Sequence, residues 1–163
     1  MSRSELGLII SQDNTEPLME PRPELLLIED DDGDAKALRR ALNRADIDAP
    51  LMRVKDGVQA LEFLRSPEAR DRRFLLLLDV NMPRMNGHEF LAELRSDARI
   101  RRTVVFVLTT SGNEFDINCA YDRNVAGYIR KDDVGRGFHK LIETLERYSE
   151  IVVLPKVAGG TGG

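Results

Sequence analysis

Along this chain, short runs that are apolar at nearly every position alternate with longer stretches in which apolar residues recur every three or four places. The unbroken runs fall at 25–28, 51–54, 74–78, 104–108 and 126–130, bounded by charged or turn-forming residues, and read as strands. Strands apolar on both faces belong to a parallel sheet covered by helices on both sides. Between the runs, Ala35, Leu38, Ala41, Leu42 and Ala45 step along one helical face, as do Val58, Leu61 and Leu64, and then Phe90, Leu91 and Leu94. A fourth helix is predicted over about 114–123 on weaker periodicity, and a fifth from the repeat Val134, Phe138, Leu141, Ile142, Leu145, Tyr148. Five strands and five helices in strict alternation predict an α/β fold, a doubly wound five-stranded parallel sheet of (βα)5 type.

The domain is expected over 25–148. Before it lies an arm, 1–24, that carries three prolines and an apolar patch at Leu8, Ile9 and Ile10. After it comes an extension, 149–163, with an apolar segment at 151–155 and a Gly-rich, flexible end.

Composition narrows the class. At 163 residues, 42% apolar and 32% charged, the chain suits one soluble globular domain rather than a disordered or fibrous one. Its longest apolar runs, 74–78 and 104–108, are far short of the roughly 20 residues of a membrane-spanning helix. A lone cysteine, Cys119, excludes a disulfide framework and a Cys-rich zinc site and suits a reducing cytoplasm. The two histidines, His88 and His139, lack ligand spacing. A net charge of -4 weighs against nucleic acid as partner, and the local clusters Arg70, Arg72, Arg73 and Arg99, Arg101, Arg102 read as solvated surface.

In an open α/β sheet the ligand site lies beyond the carboxyl ends of the strands. Here the first strand runs into Glu29, Asp30, Asp31 and Asp32, with Asp34 just after. The third ends in Asp79, the fourth in Thr109, Thr110 and Ser111, and the fifth in Lys131. Carboxylates gathered at one sheet end repel one another unless a cation compensates, and a hard divalent ion such as Mg2+ answers that need. Glu29 and Asp30, directly at the strand end, are expected to bind it. Asp31, Asp32 and Asp34 are expected to cap the following helix.

The segments Leu-Leu-Ile-Glu-Asp-Asp (26–31), Leu-Leu-Asp-Val-Asn-Met-Pro-Arg-Met-Asn-Gly (77–87), Val-Leu-Thr-Thr-Ser (107–111) and Gly-Tyr-Ile-Arg-Lys (127–131) together resemble a response-regulator receiver domain, in order and in register. That resemblance implies the flavodoxin-like (βα)5 fold with strand order 2-1-3-4-5. It implies a two-component protein in which Asp79 accepts a phosphoryl group from a sensor histidine kinase. Mg2+ would be held by Glu29, Asp30, Asp79 and the backbone carbonyl of Asn81. Thr109 and Lys131 would each meet a phosphoryl oxygen, which suits a transfer governed by positioning and charge neutralisation. Thr109 and Tyr128 resemble the family's switch pair, while the Asn81 side chain and Ser111 resemble positions that tune the lifetime of the phosphate. Gly87 is expected to need an unusual backbone angle.

Two departures stand out. Asp132 follows Lys131 where the family usually has proline after a cis bond, so a trans bond is expected here. Glu29 is longer than the commoner aspartate, which leaves a water-mediated metal contact open beside a direct one.

With few residues after the fifth helix, a stand-alone receiver is expected, signalling in the cytoplasm by protein contact. The apolar segment 151–155 and the Thr-Thr-Ser motif resemble the small receivers paired with bacterial phytochrome kinases, which form homodimers through the fourth and fifth helix face and the C-terminal segment. A tail that folds back on its own domain is the alternative. Two other classes stay open: a phosphorylation-independent interaction module, and an aspartyl-phosphate phosphatase, which would want a second aspartate where the chain has Asn81.

Overall fold

Five parallel strands, β1 (Glu24–Ile28), β2 (Leu51–Val54), β3 (Phe74–Leu78), β4 (Val104–Thr109) and β5 (Gly127–Arg130), line up in the order β2-β1-β3-β4-β5. Five α-helices connect or follow them: α1 (Asp32–Arg44), α2 (Gly57–Leu64), α3 (Gly87–Ser96), α4 (Glu114–Asp122) and α5 (His139–Ile151). The computed structural model describes residues 23–47 and 49–159, so the predicted arm up to residue 22, its patch at Leu8, Ile9 and Ile10, and the glycines from 160 onward lie outside the described residues.

The unbroken apolar runs divide cleanly between two cores. Leu26, Ile28, Leu76, Leu78, Val105 and Val107 face one way and pack against α2 and α3 through Leu61, Leu64, Phe90 and Leu94. Leu25, Leu27, Leu75, Leu77, Phe106 and Leu108 face the other way, onto Leu38 and Leu42 of α1 and Leu141, Ile142 and Leu145 of α5. Both faces of the strands are therefore removed from water, which is why no polar alternation marks them in the sequence.

The helices that follow β1 to β4 all open on a side-chain cap. Asp31, Asp56, Asn86 and Asn113 each accept a hydrogen bond from the backbone N–H three residues on, and Asn86 forms a reciprocal capping box with Glu89. Each of these helices follows the end of its strand, after a short turn for α1, α2 and α4 and a longer loop for α3, so its first turn faces the same end of the sheet.

The fifth helix departs from expectation. It starts at His139 rather than near Val134, because Gly135 and Gly137 adopt φ of 75° and 68° and the chain between β5 and α5 folds into two short 3-10 turns. A helix through Val-Gly-Arg-Gly-Phe would carry two poor helix formers in one turn. Val134 and Phe138 still reach the core, which explains the apparent periodicity. Gly87 also differs from expectation, since its φ is not positive. Its smallness serves a close approach instead: a Cβ there would lie 2.6 Å from Val80 Cα and 2.8 Å from the carbonyl oxygen of Asp79.

Beyond α5 the chain turns back along the sheet. Lys156 pairs antiparallel with Arg73, the Val157 N–H donates to the carbonyl of Arg72, and the Arg73 guanidinium donates to the carbonyl of Leu154. Leu154 (1% exposed) and Val157 are buried, whereas Ile151 (84%) and Val153 (82%) project into solvent. At the same end of the sheet, the Arg95 guanidinium at the close of α3 donates to four carbonyls: Arg101 at 2.6 Å, Thr103 at 2.8 Å, Arg123 at 2.7 Å and Asn124 at 3.1 Å. No described helix is long and apolar enough to cross a membrane.

Candidate functional site

Register brings the acidic residues together. Ile28 pairs with Leu78 across β1 and β3, so the next residues, Glu29 and Asp79, emerge side by side, with the Asp79 N–H donating to the carbonyl of Ile28 at 3.1 Å. Thr109 closes β4 opposite Arg130 of β5, which delivers Lys131 to the same end. One carboxylate oxygen from each of Glu29, Asp30 and Asp79 lies within 4.8 Å of the others. Asp30 is exposed and Glu29 is 2% exposed, so the cluster runs from the surface into the sheet.

Asp79 is held by its neighbours. Its Oδ1 accepts from the Asn81 N–H at 3.0 Å and from the fully buried Thr109 hydroxyl at 2.9 Å. Among the described residues its Oδ2 has one longer contact, Lys131 Nζ at 3.4 Å. The ammonium itself sits nearer to Glu29 Oε2 at 2.8 Å and Asp34 Oδ2 at 2.7 Å. One lysine therefore serves three carboxylates.

Electrostatics follow from that count. Burial is the main force on Glu29 and, with the charge of Asp79 beside it, lifts its carboxyl to about 7 despite hydrogen bonds from Lys131 and the Asp31 N–H. Burial works against the Lys131 ammonium, but its hydrogen bonds to Asp34 and Glu29 and the charge of Asp79 outweigh it and hold the group above the ordinary lysine range. Three converging carboxylates, all oxygen donors and two of them buried, match the donor set of a hard divalent cation.

The remaining sequence-predicted residues are near but differently engaged. Tyr128 is half-buried, and its hydroxyl donates to the carbonyl of Ser111 at 2.9 Å. The Ser111 hydroxyl donates to Asp116 Oδ2 at 2.5 Å. Asn81 is exposed. Described peptide bonds are all trans, Lys131–Asp132 included, and Asp133 pairs with Arg130 at 2.7 Å.

Of the expected caps, Asp31 is one, while Asp32 pairs with Arg53 at 2.7 Å and Asp34 reaches into the site. The capping expectation fails for Asp34 because its N–H, rather than its carboxylate, takes part in the cap, which leaves the side chain free to meet Lys131. A carboxylate in the first turn of a helix that starts at a strand end was the signal for it. His88 and Asp116, 2.8 Å apart on α3 and α4, carried no signal in the sequence.

Comparison with known proteins agrees with this architecture. The response regulator receiver domain family matches residues 25–143. The response regulator Rcp1 of Synechocystis sp. is 34% identical over 139 residues, covering 83% of this chain and 95% of that protein. The crystal structure of the Mn(2+)-bound form of Rcp1 superposes with a TM-score of 0.69 over 82% of this chain and 99% of that one, at 34% identity. The phosphorylated cyanobacterial phytochrome response regulator RcpA gives a TM-score of 0.72 at 33% identity, over 83% and 99% of the two chains. With its sheet order, its acidic strand ends and this match over most of its length, the chain belongs to the response regulator receiver family.

Proposed function

We propose that this chain accepts a phosphoryl group on Asp79 from a sensor histidine kinase, in an Mg2+-dependent reaction, and signals by protein contact. The observation that carries this reading is the Asp79 carboxylate itself, fixed at a strand end through Oδ1 with Oδ2 left open beside Lys131.

In this reading Oδ2 attacks phosphorus while the phosphorus–nitrogen bond to the donor histidine breaks, and the imidazole leaves with the electron pair. The Thr109 hydroxyl, already at Asp79, turns its hydrogen bond to one phosphoryl oxygen. Lys131 meets a second oxygen as it shifts away from Asp34. Glu29, Asp30, Asp79 and the Asn81 backbone carbonyl would hold Mg2+, which when bound neutralises charge on the phosphoryl oxygens and the carboxylates around them. The Asn81 side chain and Ser111 border the approach of a hydrolytic water and tune the lifetime of the phosphate.

Thr109 and Tyr128 act as the switch. Movement of the threonine hydroxyl toward phosphate is passed through the loop after β4, whose Ser111 carbonyl receives the Tyr128 hydroxyl. The chemistry is confined to autophosphorylation and autodephosphorylation, so the protein is a signalling domain rather than an enzyme acting on added substrates. Similarity to a cyanobacterial phytochrome response regulator supports a kinase of the phytochrome type as partner, in the cytoplasm. Phe115 (72% exposed) and Tyr121 on α4, with Ile151 at the end of α5 and Val153 just beyond it, support a homodimer through the α4 and α5 face and the C-terminal segment.

Intact mass after incubation with Mg2+ and acetyl phosphate tests the reading. One added phosphoryl group is expected, absent in Asp79→Asn or in chelator. An unchanged mass, with acetyl phosphate and with a phosphorylated histidine kinase alike, would overturn it.

A further inference from the structure

A hydrogen-bonded path leaves the Asp79 pocket through Thr109 and ends on a histidine of α3. Ser111 is its junction, and every polar group of Ser111 is engaged. Its N–H lies 3.4 Å from Thr109 Oγ1, its carbonyl accepts from the Tyr128 hydroxyl at 2.9 Å, and its own hydroxyl donates to Asp116 Oδ2 at 2.5 Å. The other oxygen of Asp116 is 2.8 Å from His88 Nε2. Asp116 is thus a two-sided clasp between the loop after β4 and the first turn of α3.

The clasp is well made. Its two hydrogen bonds, the one from Ser111 first and then that from His88, hold the Asp116 carboxyl below the ordinary aspartate range. Among the described residues, His88 Nδ1 is buried without a partner. The tautomer that carries its proton on Nε2 leaves a lone pair at Nδ1 rather than an unmet donor, and aims that proton at Asp116. Phe115 on α4 sets its ring at 75° to the imidazole, with centroids 6.4 Å apart, an edge contact to His88.

We propose that His88 and Asp116 are positioning residues that clasp Ser111, keep the loop after β4 closed over Tyr128 with Thr109 turned to Asp79, and thereby set how long the phosphoryl group survives. The proposal rests on Asp79 as phosphoacceptor. Neither residue touches Asp79, so their action is through the loop. Opening the clasp frees Ser111, lets Tyr128 leave its place and admits water to the acylphosphate.

Two readouts on the full chain test this. In the unphosphorylated protein labelled with 13C-tyrosine, the Tyr128 ring resonance, assigned by its loss in Tyr128→Phe, is expected to move toward that of a solvent-exposed tyrosine in His88→Ala and in Asp116→Ala. His88→Gln, whose amide can still donate to Asp116, is expected to keep the original position. After loading with acetyl phosphate, the half-life of the phosphorylated form is expected to fall at least threefold in the two alanine variants. Combining His88→Ala with Ser111→Ala should give no further fall, and His88→Gln should restore the half-life.

An unmoved Tyr128 resonance in His88→Ala, a partly exposed position that the fold can lose, would overturn the clasp whatever the phosphoryl assay gave. A resonance that moves with an unchanged half-life would overturn its link to the phosphate. If the parent chain takes up no phosphoryl group while the resonance still moves, the phosphoacceptor reading fails, and the clasp stands as a restraint on Tyr128 with its claim on phosphate lifetime overturned.

Discussion

Lys131 lies closer to Asp34, at 2.7 Å, than to Asp79, at 3.4 Å. The cation beside the proposed phosphoacceptor is thus drawn toward a carboxylate on α1, and under the proposed function it would have to give up part of that contact to meet a phosphoryl oxygen. The Asp34 side chain is 39% exposed, so solvent screens the pair and its worth is about 0.5 to 1 kcal/mol. Replacing Asp34 with Asn is expected to speed phosphorylation by acetyl phosphate about two- to fivefold, in line with that energy. Time courses of intact mass would read this directly, and a rate equal to or below that of the parent chain would mean that Asp34 does not compete for the lysine.

Glu29 supplies a pH dependence with a definite sign. Its carboxyl stands near 7 in the folded chain against 4.5 in the unfolded one, chiefly because it is buried. A group raised on folding contributes stability that is fully present below its unfolded value and is lost as pH rises through its folded value. In chelator, the parent chain should therefore lose stability relative to Glu29→Gln between about pH 4.5 and 7, with a ceiling of about 3 kcal/mol. Urea unfolding at pH 5, 6 and 7.5 would resolve the difference, and parallel curves for the two proteins would count against it.

Gly87 is a packing requirement at the back of Asp79. With a Cβ only 2.6 Å from Val80 Cα and 2.8 Å from the Asp79 carbonyl oxygen, Gly87→Ala forces backbone apart at the end of β3. A loss of about 1 to 3 kcal/mol is expected, together with slower phosphorylation. Thermal unfolding and the mass assay check the two halves separately. Unchanged stability would show that the loop after β3 can yield.

The C-terminal segment separates two roles residue by residue. Leu154 is buried against the domain, so Leu154→Ala should cost about 2 to 4 kcal/mol. Val153 is exposed, so Val153→Lys should leave stability within about 0.5 kcal/mol while converting the proposed dimer to monomer in sedimentation. A dimer that survives Val153→Lys together with Ile151→Lys would move the interface elsewhere.

The sheet was legible in the sequence because burial on both faces leaves unbroken apolar runs such as 74–78, and the acidic strand end could be read from its position after Ile28. Other features depend on contacts that periodicity does not encode. Gly135 and Gly137 delay α5 while Val134 and Phe138 remain in the core, so the apolar spacing imitates a helix where the backbone has none. Asp34 looked like a helix cap because its residue type and place suit one, yet Asp31 takes that part. His88 and Asp116 are 28 residues apart on different helices, and only the packing of α3 beside α4 makes them neighbours.

The four carbonyls gathered by Arg95 bear on how α4 can move. Two of them, from Arg123 and Asn124, belong to the turn that ends α4, and the other two lead into β4. The carboxyl end of α4 is thereby pinned at the foot of the sheet, far from Asp79. A rearrangement that begins at Ser111 must then swing the helix as a lever on that fulcrum, with the largest arc at its opening turn, where Phe115 stands in solvent.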